Sequence, residues 1–371
     1  MIVGVPKEIK TEEYRVAMTP VGVHELVAHG HRVLVEESAG AGSFIEDDAY
    51  TAAGGEIVPS AAEVFGGTDM IVKVKEPQPS EIEMLEKRHL LFTYLHLAAY
   101  PEEARGLLDS GATAIAYETV EMPNGALPLL APMSEIAGRM AAQAGAHYLE
   151  KPKGGRGVLL GGVPGVAPGK VTVLGAGMAG RNAAMIAAGM GAEVTVLDLN
   201  VGPLRHLDEL QWRNVKTLTS SKFAVQQTVA ESDMVVGAVL IAGARAPVVV
   251  DEDLVKAMRP GSVLVDISID QGGCIATARE TTHTDPVYEQ HGVVHYAVGN
   301  IPGAVPNTAT YALTNATLPY VVSLADGIPG AVSRRPELLG GVNVAGGAVA
   351  NQAVADFLGV ECVDAKAALG V

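Results

Sequence analysis

The chain has little cysteine, a shortage of positive charge and no long hydrophobic run, and each shortage removes a class of protein. Only Cys274 and Cys362 occur in 371 residues, too few for a disulfide framework, which suits a reducing compartment and points to the cytoplasm. Lys and Arg number 26 against 42 Asp and Glu, a formal net charge of −16. Such a surface repels a phosphate backbone, because nucleic-acid binding draws most of its affinity from clustered basic residues, so nucleic acid is not an expected partner. Although 48% of the residues are hydrophobic, no run of about 18 apolar residues is free of charges or of glycine and proline breaks, so no membrane span is expected. The opening Met1-Ile2-Val3-Gly4-Val5-Pro6-Lys7-Glu8 has neither a basic lead nor a long apolar stretch and does not read as a secretion signal. There is no internal repeat and no Cys/His cluster. His291 and His295 lie on what reads as a strand, so no metal is expected.

What is present is an alternating pattern. The length exceeds what one hydrophobic core serves, so two domains are expected. The 43 glycines and 21 prolines punctuate short apolar runs, as the strand-to-helix turns of an α/β chain require. Ile2 to Val5, His31 to Glu36, Met70 to Val74, Leu90 to Tyr94 and Ala114 to Tyr117 read as strands of a parallel sheet, with helices near Pro20 to Ala28 and Asp47 to Ala53. Ser134 is placed to N-cap a helix through Ile136, Met140, Ala144 and Tyr148, with Glu135 beside its positive end. The glycine-rich stretch 154–165 reads as a connector. A second α/β domain follows, with strands at Lys170 to Leu174, Glu193 to Leu197, Met234 to Val239, Ser262 to Ile267 and Val293 to Val298. A long helix from about Thr308 to Ala325 leads to a tail too small for a domain of its own, which is expected to pack on the first domain.

The strand Lys170 to Leu174 runs into Gly175-Ala176-Gly177-Met178-Ala179-Gly180 and then into a helix of small residues. In such a turn the first glycine makes the bend and the second lets backbone approach a pyrophosphate. The third packs helix on strand, and the free N–H groups at the helix start hold the anion. The next strand ends in Asp198, the acidic residue wanted about 20 positions on for the ribose hydroxyls. Strand, turn, helix and carboxylate together point to a bound dinucleotide. Asp198 repels a 2′-phosphate and Leu199-Asn200 offers no Arg to accept one, so NAD is expected over NADP. Ala238-Val239-Leu240 and Ile267-Ser268-Ile269-Asp270 end two further strands and are expected to face the nicotinamide half. The alternative for Asp270 is a loop carboxylate capping the turn at Gly272-Gly273.

Several longer strings go further. Glu13-Tyr14-Arg15-Val16-Ala17-Met18-Thr19-Pro20, Lys73-Val74-Lys75-Glu76-Pro77, Thr93-Tyr94-Leu95-His96-Leu97-Ala98, Ala131-Pro132-Met133-Ser134-Glu135 and Asp266-Ile267-Ser268-Ile269-Asp270-Gln271-Gly272-Gly273 resemble the alanine dehydrogenase and pyridine nucleotide transhydrogenase family over essentially the whole chain. The resemblance implies two Rossmann-like doubly wound α/β domains. A discontinuous substrate domain (1–130 and 308–371) would be interrupted by an NAD-binding domain (131–307), in a homohexamer. It implies oxidative deamination of alanine to pyruvate and ammonia, with Arg15 and Lys75 binding the substrate carboxylate and His96 and Asp270 handling protons. Ser134, Gly175, Gly177, Met178, Ala179, Gly180, Asp198, Ser220, Val239, Leu240, Ile267, Ser268, Ile269, Asp270, Arg279, Val298, Gly299, Asn300 and Ile301 would line the NAD site.

The residue types suit these roles. A small α-amino acid offers little but its carboxylate to grip, which a bidentate Arg and a Lys point charge can anchor. A buried Asp near a histidine can orient water or share a proton, and His96 titrates in the right range for the principal acid/base. Each also has a plainer reading, as a solvated surface charge for Arg15 and Lys75 or a hydrogen-bonded core residue for His96. One departure from the family pattern is Pro203, where many relatives offer a basic residue to the nucleotide, with Arg205 two positions later. Two other functions remain open: a transhydrogenase nucleotide-binding subunit, against which Arg15, Lys75 and His96 argue, and an NAD-binding sensor without turnover.

Overall fold

A computed structural model describes residues 1–97, 100–239 and 246–371. In chain order its strands are β1 (Ile2–Val5), β2 (Arg32–Glu36), β3 (Glu56–Val58), β4 (Met70–Val72), β5 (Leu90–Thr93), β6 (Thr113–Ala116), β7 (Lys170–Leu174), β8 (Glu193–Asp198), β9 (Val215–Thr219), β10 (Met234–Gly237), β11 (Val263–Asp266), β12 (Val287–Gln290), β13 (Val293–Tyr296), β14 (Val342–Ala345) and β15 (Ala348–Val349). The chain divides into two compact units, Met1–Met133 with Val305–Val371, and Ser134–Ala304. A break between 307 and 308 would cut the helix Pro306–Ala325. Among the described residues no helix is long and apolar enough to cross a membrane.

The sheet of the first unit runs β3-β2-β1-β4-β5-β6-β14-β15. Neighbours from β3 through β6 pair in parallel, whereas β14 pairs antiparallel with β6 and with β15. Met70, Ile71 and Val72 of β4 and Leu91 and Phe92 of β5 are fully buried, because a parallel strand is covered by helices on both faces and reads as a continuous apolar run. The helix Pro20–Ala28 begins with Pro20, whose missing N–H costs nothing in the first turn, and buries Gly22, Val23 and Leu26.

The second unit runs β9-β8-β7-β10-β11-β13-β12, parallel except for the β12–β13 pair. Side chains alternate across its strands. Val171, Val173, Val236 and Val265 enter the core on one face, and Leu174, Val235 and Leu264 the core on the other. Both sheets are doubly wound, with strand order reversing between β1 and β4 in one unit and between β7 and β10 in the other. In such sheets ligands bind outside the carboxyl ends of the strands, at the reversal.

Several expected boundaries move. The strand from Met70 stops at Val72, because the Val74 N–H turns to the Glu8 carboxylate at 2.6 Å. The strands expected to end at Val239 and Ile267 end at Gly237 and Asp266. Ile267–Gln271 is a short 3-10 turn rather than a strand end. The helix expected to start at a Ser134 cap begins at Ala131, where Pro132 fits the first turn, so Ser134 lies inside it. The short strands β3, β9, β12, β14 and β15 are additions to the sequence reading.

Candidate functional site

The carboxyl ends of β1, β4, β5 and β6 carry a dense set of charges in the first unit. Glu8, just past β1, is fully buried in its side chain's surroundings: Lys73 Nζ donates to its Oε2 at 3.1 Å, and Lys73 also pairs with Glu81 at 2.7 Å. Burial pushes the Glu8 carboxyl up to about 7, helped by the charges of Glu13 and Glu81 and opposed by Lys73 and the Val74 N–H. Burial likewise disfavours the charge on Lys73, but Glu8 and Glu81 outweigh it and hold the ammonium above its ordinary range. This group braces the chain on either side of Val74 and so fixes the segment that bears Lys75 and Glu76.

His96 follows β5 with φ of 50°, a left-handed backbone uncommon outside glycine. The Glu118 carboxylate, beyond β6, maintains it by accepting the N–H of His96 at 2.7 Å and that of Leu95 at 3.1 Å. The imidazole stacks on Tyr94, with ring centroids 5.8 Å apart, and Nδ1 lies 3.5 Å from Glu76 Oε2. Lys10 bonds the other Glu76 oxygen. Burial raises the Glu76 carboxyl, but His96, Lys75 and Lys10 overcome that and lower it to about 2. With Nδ1 toward a carboxylate, Nε2 is the nitrogen left for other chemistry.

Lys75 is buried, and its ammonium makes no hydrogen bond or ion pair among the described residues. Arg15 is arranged differently from expectation. The bidentate edge meant for a substrate carboxylate is taken by Glu13, through Nε at 2.7 Å and Nη2 at 2.5 Å, while Nη1 meets Met133 Sδ at 3.0 Å. Burial raises the Glu13 carboxyl, but Arg15 outweighs it and the result is about 2. Glu8, Lys10, Glu76 and Glu118 escaped the sequence reading. Their one local signal was a charged residue just beyond a buried apolar run.

In the second unit the glycine turn has the form its spacing requires. Gly175 has φ of +99°, and a Cβ there would lie 2.4 Å from Ala238 O; at Gly180 it would lie 1.8 Å from Gly175 O. At Gly177, exposed before the helix Met178–Gly189, a Cβ would meet nothing within 4 Å. That opening before a helix N-terminus suits a phosphate. Asp198 is fixed beside it, accepting the N–H of Ala176 and of Asn200, each at 2.7 Å, and the Ser220 N–H bonds the Asp198 carbonyl at 2.8 Å. The residues therefore fit a dinucleotide. Pro203 and Arg205 both lie on the helix Val201–Glu209.

At the other flank of the reversal, Ser268 Oγ donates to Val239 O at 2.8 Å, and the Asn300 N–H donates to Asp270 Oδ1 at 3.2 Å. Val298 and Ile301 are buried, and the Gly299 N–H bonds Thr281 O at 3.1 Å. Ile267, Ser268, Ile269, Asp270, Val298, Gly299 and Asn300 are thus tied into one border. Arg279 lies over the Tyr288 ring at 4.1 Å. Ser134, Met178 and Ala179 are half-buried on their helices, and Leu240 lies outside the described residues. Asp270, expected as a buried carboxylate, is exposed, because the 3-10 turn after β11 carries it outward; the buried, turn-capping carboxylate is Asp266. His291 bonds Glu252 at 2.9 Å and His295 bonds Thr277 at 2.7 Å, so the two face separate partners.

Family models described as alanine dehydrogenase/PNT match the chain twice, the N-terminal domain at residues 4–137 and the C-terminal domain at 141–352. A protein of Bacillus subtilis named alanine dehydrogenase is 55% identical over 371 residues, covering 100% of this chain and 98% of that protein. A solved structure titled L-alanine dehydrogenase superposes with a TM-score of 0.93 at 51% identity, covering 97% of this chain and 99% of the other. A solved transhydrogenase from Sinorhizobium meliloti follows with a TM-score of 0.80 at 26% identity, covering 95% and 100%. With both of its domain models matched in order, the chain belongs to the alanine dehydrogenase/pyridine nucleotide transhydrogenase (PNT) family.

Proposed function

We propose that this protein is an NAD-dependent L-alanine dehydrogenase, catalysing the reversible reaction of L-alanine, NAD and water to pyruvate, ammonium, NADH and a proton. The observation that carries the reading is the first unit's cluster: a buried Lys75 and a histidine that share the field of one carboxylate, Glu76, which the histidine's Nδ1 faces. Relatives named alanine dehydrogenase, more than half identical over 96% or more of the chain, support the substrate.

Lys75 supplies a point charge to the substrate carboxylate, and Arg15, whose charge Glu13 offsets, joins it through the N–H donors that Glu13 does not occupy. Loss of hydride from the α-carbon requires a neutral amine, and the iminium that results must take up a water that then loses a proton. His96 Nε2 accepts the proton from the amine and releases it to solvent; it then takes a proton from the attacking water and returns it to the nitrogen, which leaves as ammonia and picks up the remaining hydroxyl proton as ammonium, while Glu76 holds the ring and stabilises its charged form. Asp270 orients the water and shares its proton. NAD, held at Gly175, Gly177, Gly180 and Asp198, supplies the hydride acceptor when bound. Asp198 sets the preference over NADP. On this reading the protein works as a homohexamer in the cytoplasm, with no metal.

The test is direct. Purified protein with NAD and L-alanine should generate NADH absorbance, more strongly than with glycine or serine, and Lys75→Ala should abolish it. Silence with alanine, together with reduction of an NAD analogue by NADPH, would transfer the assignment to the transhydrogenase side of the family, whose fold this chain shares.

A further inference from the structure

Asp266 closes β11 with a carboxylate that is 1% exposed. Its Oδ1 accepts the Ser268 N–H at 3.0 Å, and its Oδ2 accepts the N–H groups of Cys274 and Ile275 at 2.9 and 3.1 Å. One side chain therefore fastens both ends of the segment 267–275. At the apex of that segment stands Asp270. The packing leaves the carboxylate no other place: a Cβ on Gly237 would lie 2.4 Å from Cys274 Sγ, and one on Gly273, whose φ is +74°, would lie 3.0 Å from Asp266 Oδ2.

No cation neutralises this buried acid among the described residues; burial pushes it up to about 6, with only the backbone N–H groups and the Cys274 thiol opposing. A charge kept in such a place is costly unless its hydrogen bonds are all made. What those bonds secure is the turn Ile267–Gln271 and, through it, the two contacts that leave the turn, Ser268 to Val239 and Asp270 to Asn300.

We infer that Asp266 is a positioning residue, which touches neither substrate nor cofactor but fixes the Ile267–Asp270 turn and thereby sets where the Asp270 carboxylate stands during the reaction. The inference rests on the alanine dehydrogenase reading. An asparagine at 266 keeps one oxygen acceptor and turns an NH2 donor toward a backbone N–H, so at least one end of the segment is released.

A double-mutant cycle tests it, read as the single-turnover rate of NADH formation from L-alanine, with NADH affinity followed by its fluorescence and folding by Tm. Asp266→Asn should lower the rate on the order of 100-fold, the loss that a displacement near 1 Å can cause. In the Asp270→Asn background the same change should cost less than about threefold, since the group it positions is already gone. Gly273→Ala, which crowds the carboxylate without removing it, should show the same pattern and covers the case in which Asp266→Asn does not fold. Equal losses in both backgrounds, or a native rate in a folded Asp266→Asn or Gly273→Ala variant, would overturn the inference. If the native protein is silent with alanine, the substrate reading fails instead. NADH affinity then decides, with about tenfold weakening in Asp266→Asn expected and no change refuting it.

Discussion

Gly177 and Gly180 stand three residues apart in one motif, yet alanine at each should damage the protein in a different way. At Gly180 the new methyl carbon would lie 1.8 Å from Gly175 O and 2.9 Å from Gly175 C, backbone atoms that no rotamer change can move aside. Overpacking of this kind costs about 1–3 kcal/mol. The helix propensity gained on leaving glycine offsets up to about 1 kcal/mol of that. At 1.8 Å from a backbone oxygen the upper part of that range applies, about 2–3 kcal/mol, so a net loss of about 1–2 kcal/mol should appear as a Tm lower by roughly 2–8 °C.

At Gly177 the same methyl meets nothing within 4 Å, and φ of −67° at this N-cap is open to any residue. Folding should change by less than about 1 kcal/mol, but the methyl would occupy the space through which a pyrophosphate reaches the helix N-terminus. NADH should bind about 10–100-fold more weakly, a loss of about 1.4–2.8 kcal/mol. Thermal melts and NADH fluorescence titrations on the two variants separate the effects. Native NADH affinity in Gly177→Ala, or native stability in Gly180→Ala, would refute the reasoning.

Other expectations follow from the same contacts. Glu8 is raised from 4.5 to about 7, so the folded protein retains a proton there that the unfolded chain gives up. The stability tied to it is present below pH 4.5 and falls away as pH rises to 7, on the order of 3 kcal/mol in all; Glu8→Gln should flatten the dependence of Tm on pH in that window. Glu76→Gln should lower kcat with alanine about 10–100-fold while NADH affinity stays native, because the carboxylate orients His96 and stabilises its charged form; unchanged kcat would remove Glu76 from the mechanism. Asp198→Ala should weaken NADH and shift the NADH to NADPH affinity ratio toward NADPH, and an unchanged ratio would show that specificity is set elsewhere.

The sheets were legible because parallel strands covered on both faces are unbroken apolar runs, as in Met70–Val72 and Leu90–Thr93. Of the strands that escaped, β9 with Lys216 and β12 with Glu289 are half-exposed, β3 and β15 have three and two residues, and β14, although buried, has Asn343 inside its apolar run. The glycine turn was legible because its requirements are local. The surroundings of His96 were not, since Glu76 and Glu118 reach it from other strand ends and no spacing within the segment announces them. Asp270 shows the same limit. Whether it or Asp266 would be the buried carboxylate depends on where β11 stops, which the N–H groups of Ser268, Cys274 and Ile275 decide.

The antiparallel pairing of β14 with β6 has a consequence for synthesis. Residues 134–304 are contiguous and can collapse as soon as they leave the ribosome, whereas the sheet that bears His96 lacks two strands until residues 342–349 emerge. Domains generally fold as units during translation, in the order in which they are completed. The nucleotide-binding unit, although second along the chain, is therefore the first able to mature, ahead of the sheet that waits for β14 and β15.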